Sequence, residues 1–391
     1  MLKSSIFLVF NSLLAAGSSY LLTLYLIRNF SIATFGEYSY ALLISSFSSI
    51  FIMYGTEFSI ARDIKKFQTI RHYSYFTFVF RLLNLFLFTL ILLFTISDYV
   101  WQVFSLSIAC LAFNYAYEAK NKNLKFSFIF LTERLSYALI VLILLSLFSL
   151  ELSFLFITIA SISFLSVAYQ WHDIKLAFYK IKVADLVNLY KRNSVLVISS
   201  IVLFSYGGGS RLILEIKEGK ESLAIYSAFW QFVMLATLVQ TQFERLWRLR
   251  ISNSLTDSGA FTNQLKSYIL CTTLPFIFAI GLTQLFSEWL ALFLFGDKYV
   301  RYHTILRVLC LYFVVINVDS LVRMVSIKAG LDKAYLTGHL LGCLSMLAVF
   351  SAFSFSLTVF AGLVVAFHCF SLLLVIFFIL NKNDYIPNKR I

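Results

Sequence analysis

Residues 126–149 read FSFIFLTERLSYALIVLILLSLFS, an apolar run of bilayer length interrupted by one adjacent pair of charges, Glu133 and Arg134. Crossing the hydrocarbon core takes about 20 mostly apolar residues in a helix, because lipid offers the backbone no hydrogen bonds and only intrahelical ones satisfy it. The run is therefore a membrane-spanning helix. A charge inside such a helix is costly and is kept where it meets protein, water or a charged ligand, so the pair also marks a functional position.

The same pattern repeats outward in both directions. About twelve such segments are expected, near 5–27, 36–56, 73–96, 99–117, 126–149, 152–170, 194–214, 222–243, 267–287, 304–326, 335–355 and 358–380. Composition agrees, with 60% hydrophobic and 13% charged residues and a mean hydropathy of +0.85. The fold class is an all-α polytopic membrane protein. Lys3 ahead of the first segment looks like a secretory leader, but the segment is too long and more membrane follows it.

The charges between segments test this count, because cytoplasmic connections hold the excess of Lys and Arg. With both termini cytoplasmic, the outer connections hold only Arg28, Lys217, Lys220, Lys298 and Arg301, while most of the 32 Lys and Arg fall on the inner side. A wrong count would scramble this bias. The net charge of +13 then reports topology and contact with an anionic inner leaflet, not nucleic-acid binding.

The longest inner connection, residues 171–193, divides the chain into a lobe over 1–170 and a lobe over 194–391. Its apolar residues recur at near-helical spacing between lysines, which suits either an amphipathic helix on the inner membrane face or a solvated basic linker. Phe35-Gly-Glu-Tyr-Ser-Tyr-Ala41 opens span two, and the similar Leu223-Ala-Ile-Tyr-Ser-Ala-Phe229 opens span eight. The same offset carries span one onto span seven. Two six-helix lobes so matched are expected to be related by a pseudo-two-fold axis along the membrane normal.

Catalytic chemistry finds little support. Gly207-Gly208-Gly209 lacks the Lys-Ser/Thr of a phosphate-binding loop, so no ATPase is built in. These glycines suit close helix packing better than a hinge. The outer connections are short, and no catalytic grouping, cofactor site or metal-ligand run can be placed. The five cysteines read as small buried hydrophobes. His72, His172 and His303 lie in loops, whereas His339 and His368 lie in spans, where a structural role outweighs proton relay.

The informative set is the intramembrane charge. Arg134 and Glu133 lie roughly 12 Å deep, at about 1.5 Å per residue, and Asp319 reaches a similar depth in span ten. Asp319 is placed to pair either with Arg134 across a central cleft or with Arg323, four residues on at a local salt-bridge spacing. Arg81, Arg211 and Arg307 are cavity-rim or snorkelling candidates. With Arg134 and Arg323 they are expected to line a cationic cavity, which suits an anionic passenger because guanidinium binds phosphate with geometry and keeps its charge. Asp319, Glu133 and Glu57 are the candidate ion-coupling groups.

Three stretches carry a resemblance: Arg28-Asn-Phe-Ser-Ile-Ala-Thr-Phe-Gly-Glu-Tyr-Ser-Tyr-Ala41, Arg211-Leu-Ile-Leu-Glu215 followed by Ile225-Tyr226-Ser227-Ala228, and Phe295-Gly-Asp-Lys-Tyr299 leading to Ile305-Leu-Arg-Val-Leu309. The chain resembles the Wzx-type O-antigen flippases of the MOP transporter superfamily. Ser210 stands where many relatives have an Asp before the arginine of span seven, which weakens any shared ion role there. The resemblance implies a V-shaped bundle in the bacterial inner membrane. It would move undecaprenyl-diphosphate-linked O-antigen units to the periplasmic leaflet, driven by H+ or Na+. It also implies work alongside a polysaccharide polymerase and a chain-length regulator. The alternatives are a multidrug cation antiporter of the same superfamily, which would favour carboxylates over arginines, and an O-antigen polymerase-type enzyme, which would need a large external loop.

Overall fold

The computed structural model describes residues 2–56, 69–120, 122–147, 152–254, 258–328 and 331–381, and among these every regular element is helical. Within the described residues each of the twelve apolar segments lies mostly on helix. In chain order the helices are α1 (Leu2–Asn29), α2 (Ile32–Met53), α3 (Ile70–Thr95), α4 (Val100–Ser107), α5 (Asn114–Ala119), α6 (Asn123–Leu147), α7 (Leu152–Ile174) and α8 (Val183–Phe204). They continue as α9 (Ser210–Ser254), α10 (Ser258–Tyr268), α11 (Leu274–Phe295), α12 (Asp297–Val300), α13 (His303–Leu309), α14 (Tyr312–Lys328), α15 (Asp332–Ala352) and α16 (Leu357–Asn381). Large apolar side chains such as Phe86, Phe94, Phe278 and Leu285 stay exposed, as a lipid-facing surface requires.

By internal contacts, residues 1–23 and 37–204 form one compact unit, and residues 24–36 and 205–391 form a second. The connection at 171–193 differs from an amphipathic surface helix. The chain turns at Lys175 (φ 56), residues 176–182 carry no regular structure, and α8 starts at Val183 and runs unbroken to Phe204. The helical periodicity is real, and part of its apolar face is used internally, while Val183 and Val187 stay exposed. Leu189 packs with Phe76 and Phe80 of α3, joined by Ile181 and Leu186.

Span four of the first unit is not one helix. α4 passes into a 3₁₀ turn at Ile108–Leu111, the backbone extends at Ala112 (φ −62, ψ 156), and α5 restarts at Asn114. A break inside a membrane span exposes backbone groups that lipid cannot satisfy, so side chains must do so. Arg81 Nη1 donates to Cys110 O at 2.9 Å and to Ala112 O at 2.8 Å, while Phe113 N–H donates to Gln170 Oε1 at 2.8 Å. The end of α2 is closed in the same way. Tyr54 and Gly55 turn through positive φ, and Asn84 and Asn193 donate to the carbonyls of Phe51, Ile52 and Tyr54.

In the second unit, Ser205–Gly209 forms a π-helical turn ahead of α9. Helix α9 carries the end of span seven and all of span eight and is kinked between them at Gly219 (φ 83). A side chain at Gly207 would stand 2.9 Å from the Trp230 ring, so this glycine serves both the turn and the packing. Helices α15 and α16 pack so closely that a Cβ on Gly338 would lie 2.5 Å from Val375 and one on Gly342 2.4 Å from Ser371. Small residues at a helix contact let backbones approach and bring polar side chains together across it. Two lysines cap helix ends: Lys217 donates to Ser351 O and Phe353 O at the end of α15, and Lys298 donates to Arg28 O and Phe30 O at the end of α1. Cys110, Cys310 and Cys343 are buried as expected of small hydrophobes, but Cys271 and Cys369 are exposed.

Candidate functional site

The arginines separate once their partners are known. Arg81, read from sequence as a cavity-rim or snorkelling residue, is 1% exposed. Besides the two carbonyls at the span-four break, its Nε donates to Thr56 Oγ1 at 2.9 Å, and its guanidinium lies 4.8 Å from the Tyr115 ring. It is therefore a staple between the end of α2 and the break. Arg307 is exposed and exchanges hydrogen bonds with Gln284, whose side chain returns a bond to the Arg307 carbonyl. Arg323 is held by Glu244 at 2.5 Å, so the spacing of four from Asp319 is not used for the expected local bridge.

Arg134 and Arg211 each rest on an aromatic ring and have no carboxylate partner among the described residues. Arg134 is half-buried on α6, and its guanidinium sits 5.0 Å from the Phe130 ring one turn earlier. The phenols of Tyr38 and Tyr137 are close enough to feel its charge. Its neighbour Glu133 turns to α7, where Ser166 donates to it at 2.6 Å. Arg211 lies 5.4 Å from the Trp230 ring and donates to Gly207 O, a carbonyl made available at the π-helical turn. Each is a planar cation against an aromatic face, with donors left over for an anion. Glu57 lies outside the described residues.

Asp319, set against Arg134 or Arg323 by sequence depth and spacing, accepts a hydrogen bond from Tyr335 Oη at 2.9 Å and stands 3.1 Å from His339 Nε2. His368 stands beside them. One donor atom each from Asp319, His339 and His368 lie within 4.8 Å of one another, and all three residues are buried. They come from successive helices α14, α15 and α16, drawn together by the glycine contact of the last two. The grouping also has a second layer. Tyr312 Oη meets His368 Nδ1 at 2.5 Å, and Ser371 Oγ meets His339 Nδ1 at 3.2 Å. Further along α14, Asn317 bonds Gln240 of α9 and Thr273, and Ser320 donates to Glu244. Sequence reasoning read the two histidines singly, and their only shared signal was being the pair of His inside spans.

No family model matches the sequence. No curated protein matches it closely enough to count as a relative. Solved structures do match. The chain is similar to the lipid II flippase MurJ in an inward closed conformation, with a TM-score of 0.73, 12% identity and coverage of 97% of this chain and 87% of that one. It is similar to an inward-facing multidrug resistance MATE family transporter of the MOP superfamily, with a TM-score of 0.71, 11% identity and coverage of 97% and 96%. A MOP superfamily transporter from Pyrococcus furiosus, described as having a binding pocket of reverse polarity, matches with a TM-score of 0.59, 12% identity and coverage of 98% and 95%. Near-complete coverage of both partners establishes that this polytopic membrane protein has the fold of MOP superfamily transporters.

Proposed function

We propose that this chain is a flippase that carries a diphosphate-linked lipid oligosaccharide of the O-antigen class from the cytoplasmic to the periplasmic leaflet of a bacterial inner membrane. Both termini lie in the cytoplasm in this reading. The carrying observation is Arg134, a half-buried guanidinium inside a membrane helix that faces aromatic rings and has no carboxylate partner among the described residues. An uncompensated charge at that depth is retained for a ligand of opposite sign. Guanidinium against a diphosphate forms paired charge-assisted hydrogen bonds that an ammonium cannot reproduce. Arg211, with Trp230, offers the second unit's counterpart.

The fold alone leaves the cargo open, since similar structures include both a lipid II flippase and multidrug transporters. The sign of the unpaired charge favours the lipid diphosphate. Conformational cycling needs a driving ion, H+ or Na+. Asp319 with His339 is the favoured coupling group, and Glu133 is the second. The biological partners in this reading are the polymerase and chain-length regulator that use the flipped units. The reading is tested in proteoliposomes holding a fluorescent undecaprenyl-diphosphate oligosaccharide on one leaflet and, separately, a lipophilic cationic dye. Gradient-dependent movement of the lipid without movement of the dye supports it. Movement of the dye alone contradicts it.

A further inference from the structure

The grouping of Asp319, His339 and His368 has a hydrogen-bond pattern that decides what it can accept. Ser371 Oγ spends its single proton on the His368 carbonyl at 2.7 Å, so toward His339 Nδ1, 3.2 Å away, the oxygen acts as acceptor. His339 therefore carries its proton on Nδ1, and a neutral ring presents a bare Nε2 lone pair to Asp319 Oδ1 at 3.1 Å. Two lone pairs face each other unless a positive centre joins them. On His368 the Nδ1 is engaged with Tyr312, and Nε2 is a buried atom without a hydrogen-bond partner in a side chain only 6% exposed. A buried polar atom left unpaired is costly, and natural structures keep it where something binds.

We propose that Asp319, His339 and His368 form a three-donor binding site for a borderline divalent transition-metal ion of the Zn2+ class. The donor set is two imidazoles and one carboxylate. That set suits Zn2+, Co2+ or Ni2+ and disfavours Mg2+ or Ca2+, which take oxygen cages. Donors bound at about 2.0–2.2 Å in a tetrahedron stand roughly 3.3–3.6 Å apart, so the 3.1 Å between His339 Nε2 and Asp319 Oδ1 already approximates one edge. Both histidines also have their second nitrogen engaged by a hydroxyl, the arrangement that fixes the tautomer and orientation of metal-binding imidazoles. Arg323, one turn along α14, is engaged by Glu244 and does not claim the Asp319 carboxylate. Because the donors come from α14, α15 and α16, an ion here ties three successive helices together. It acts as a brake on any motion that separates them. This inference rests on local geometry and stands whichever cargo is moved.

The test uses the full chain purified in detergent after chelation, titrated with Co2+ as a visible-absorbance probe and then with Zn2+. One equivalent of Co2+ giving a low-symmetry d–d band that Zn2+ displaces is the expected result. Asp319→Asn and His368→Gln should each weaken Co2+ binding by at least about 100-fold, and Tyr312→Phe, which only orients His368, by about 10-fold. His72→Gln and His303→Gln, which the sequence placed in loops but which stand in the first turns of α3 and α13, should leave the band unchanged. Zn2+ should also raise the unfolding midpoint of the wild type, and this rise should vanish in His368→Gln. A band that persists in Asp319→Asn and His368→Gln, or no band at all, overturns the site. Because the readout is binding, this result is separable from failure of the lipid-transport reading.

Discussion

Arg81 and Arg134 belong to the same compact unit and both interrupt a membrane span, yet the surrounding structure treats them in opposite ways. Arg81 is sealed from every side, with donors committed to Cys110 O, Ala112 O and Thr56 Oγ1. Arg134 is half-buried, rests on Phe130 and has no hydrogen-bond or carboxylate partner among the described residues. A charge inside a span thus has two distinct uses. It can satisfy backbone that a broken helix exposes, or it can wait for a ligand, and only the partner list separates them.

Each side of the contrast can be tested by stability first. Arg81→Met should give the largest loss, because it strands two buried carbonyls at the span-four break. We expect a cost of about 3 kcal/mol or more, read as a lowered unfolding midpoint and reduced yield of folded protein in detergent. Gln170→Leu, which leaves the Phe113 N–H unpaired at the same break, should cost about 1–3 kcal/mol. Thr56→Val, which removes the acceptor for Arg81 Nε while leaving the two carbonyl bonds, should cost about 1 kcal/mol. Arg134→Met should be the smallest, within about 0.5 kcal/mol of wild type, since no partner is orphaned. A destabilisation by Arg134→Met as large as that by Arg81→Met would erase the distinction.

Much of the fold could be read directly from hydropathy because spanning lipid is a local requirement: every segment of sufficient length and apolarity carries helix. What stayed hidden depended on neighbours. Residues 99–117 read as one span, and the break at 108–113 that gives Arg81 its acceptors has no strong local signal beyond a less apolar composition than the adjacent spans. The face of 183–193 was correctly periodic, but whether it met lipid or α3 depended on tertiary packing. Asp319, His339 and His368 are far apart in sequence and lie on three helices. Their convergence depends on the phase of α15 against α16, which the close approach at Gly338 and Gly342 sets. Arg134 was singled out from sequence by depth alone, and its lack of a partner became visible only in three dimensions.

The central claim is that Arg134 is held for the diphosphate of a lipid-linked sugar. The most direct measurement compares flipping of undecaprenyl-diphosphate oligosaccharide by wild type, Arg134→Lys and Arg134→Ala in proteoliposomes at matched protein level and matched unfolding midpoint. The account predicts a loss of at least about 10-fold for Ala, equivalent to about 1.4 kcal/mol, with Lys falling between because it keeps the charge without the paired donors. Wild-type flipping by Arg134→Ala would contradict it.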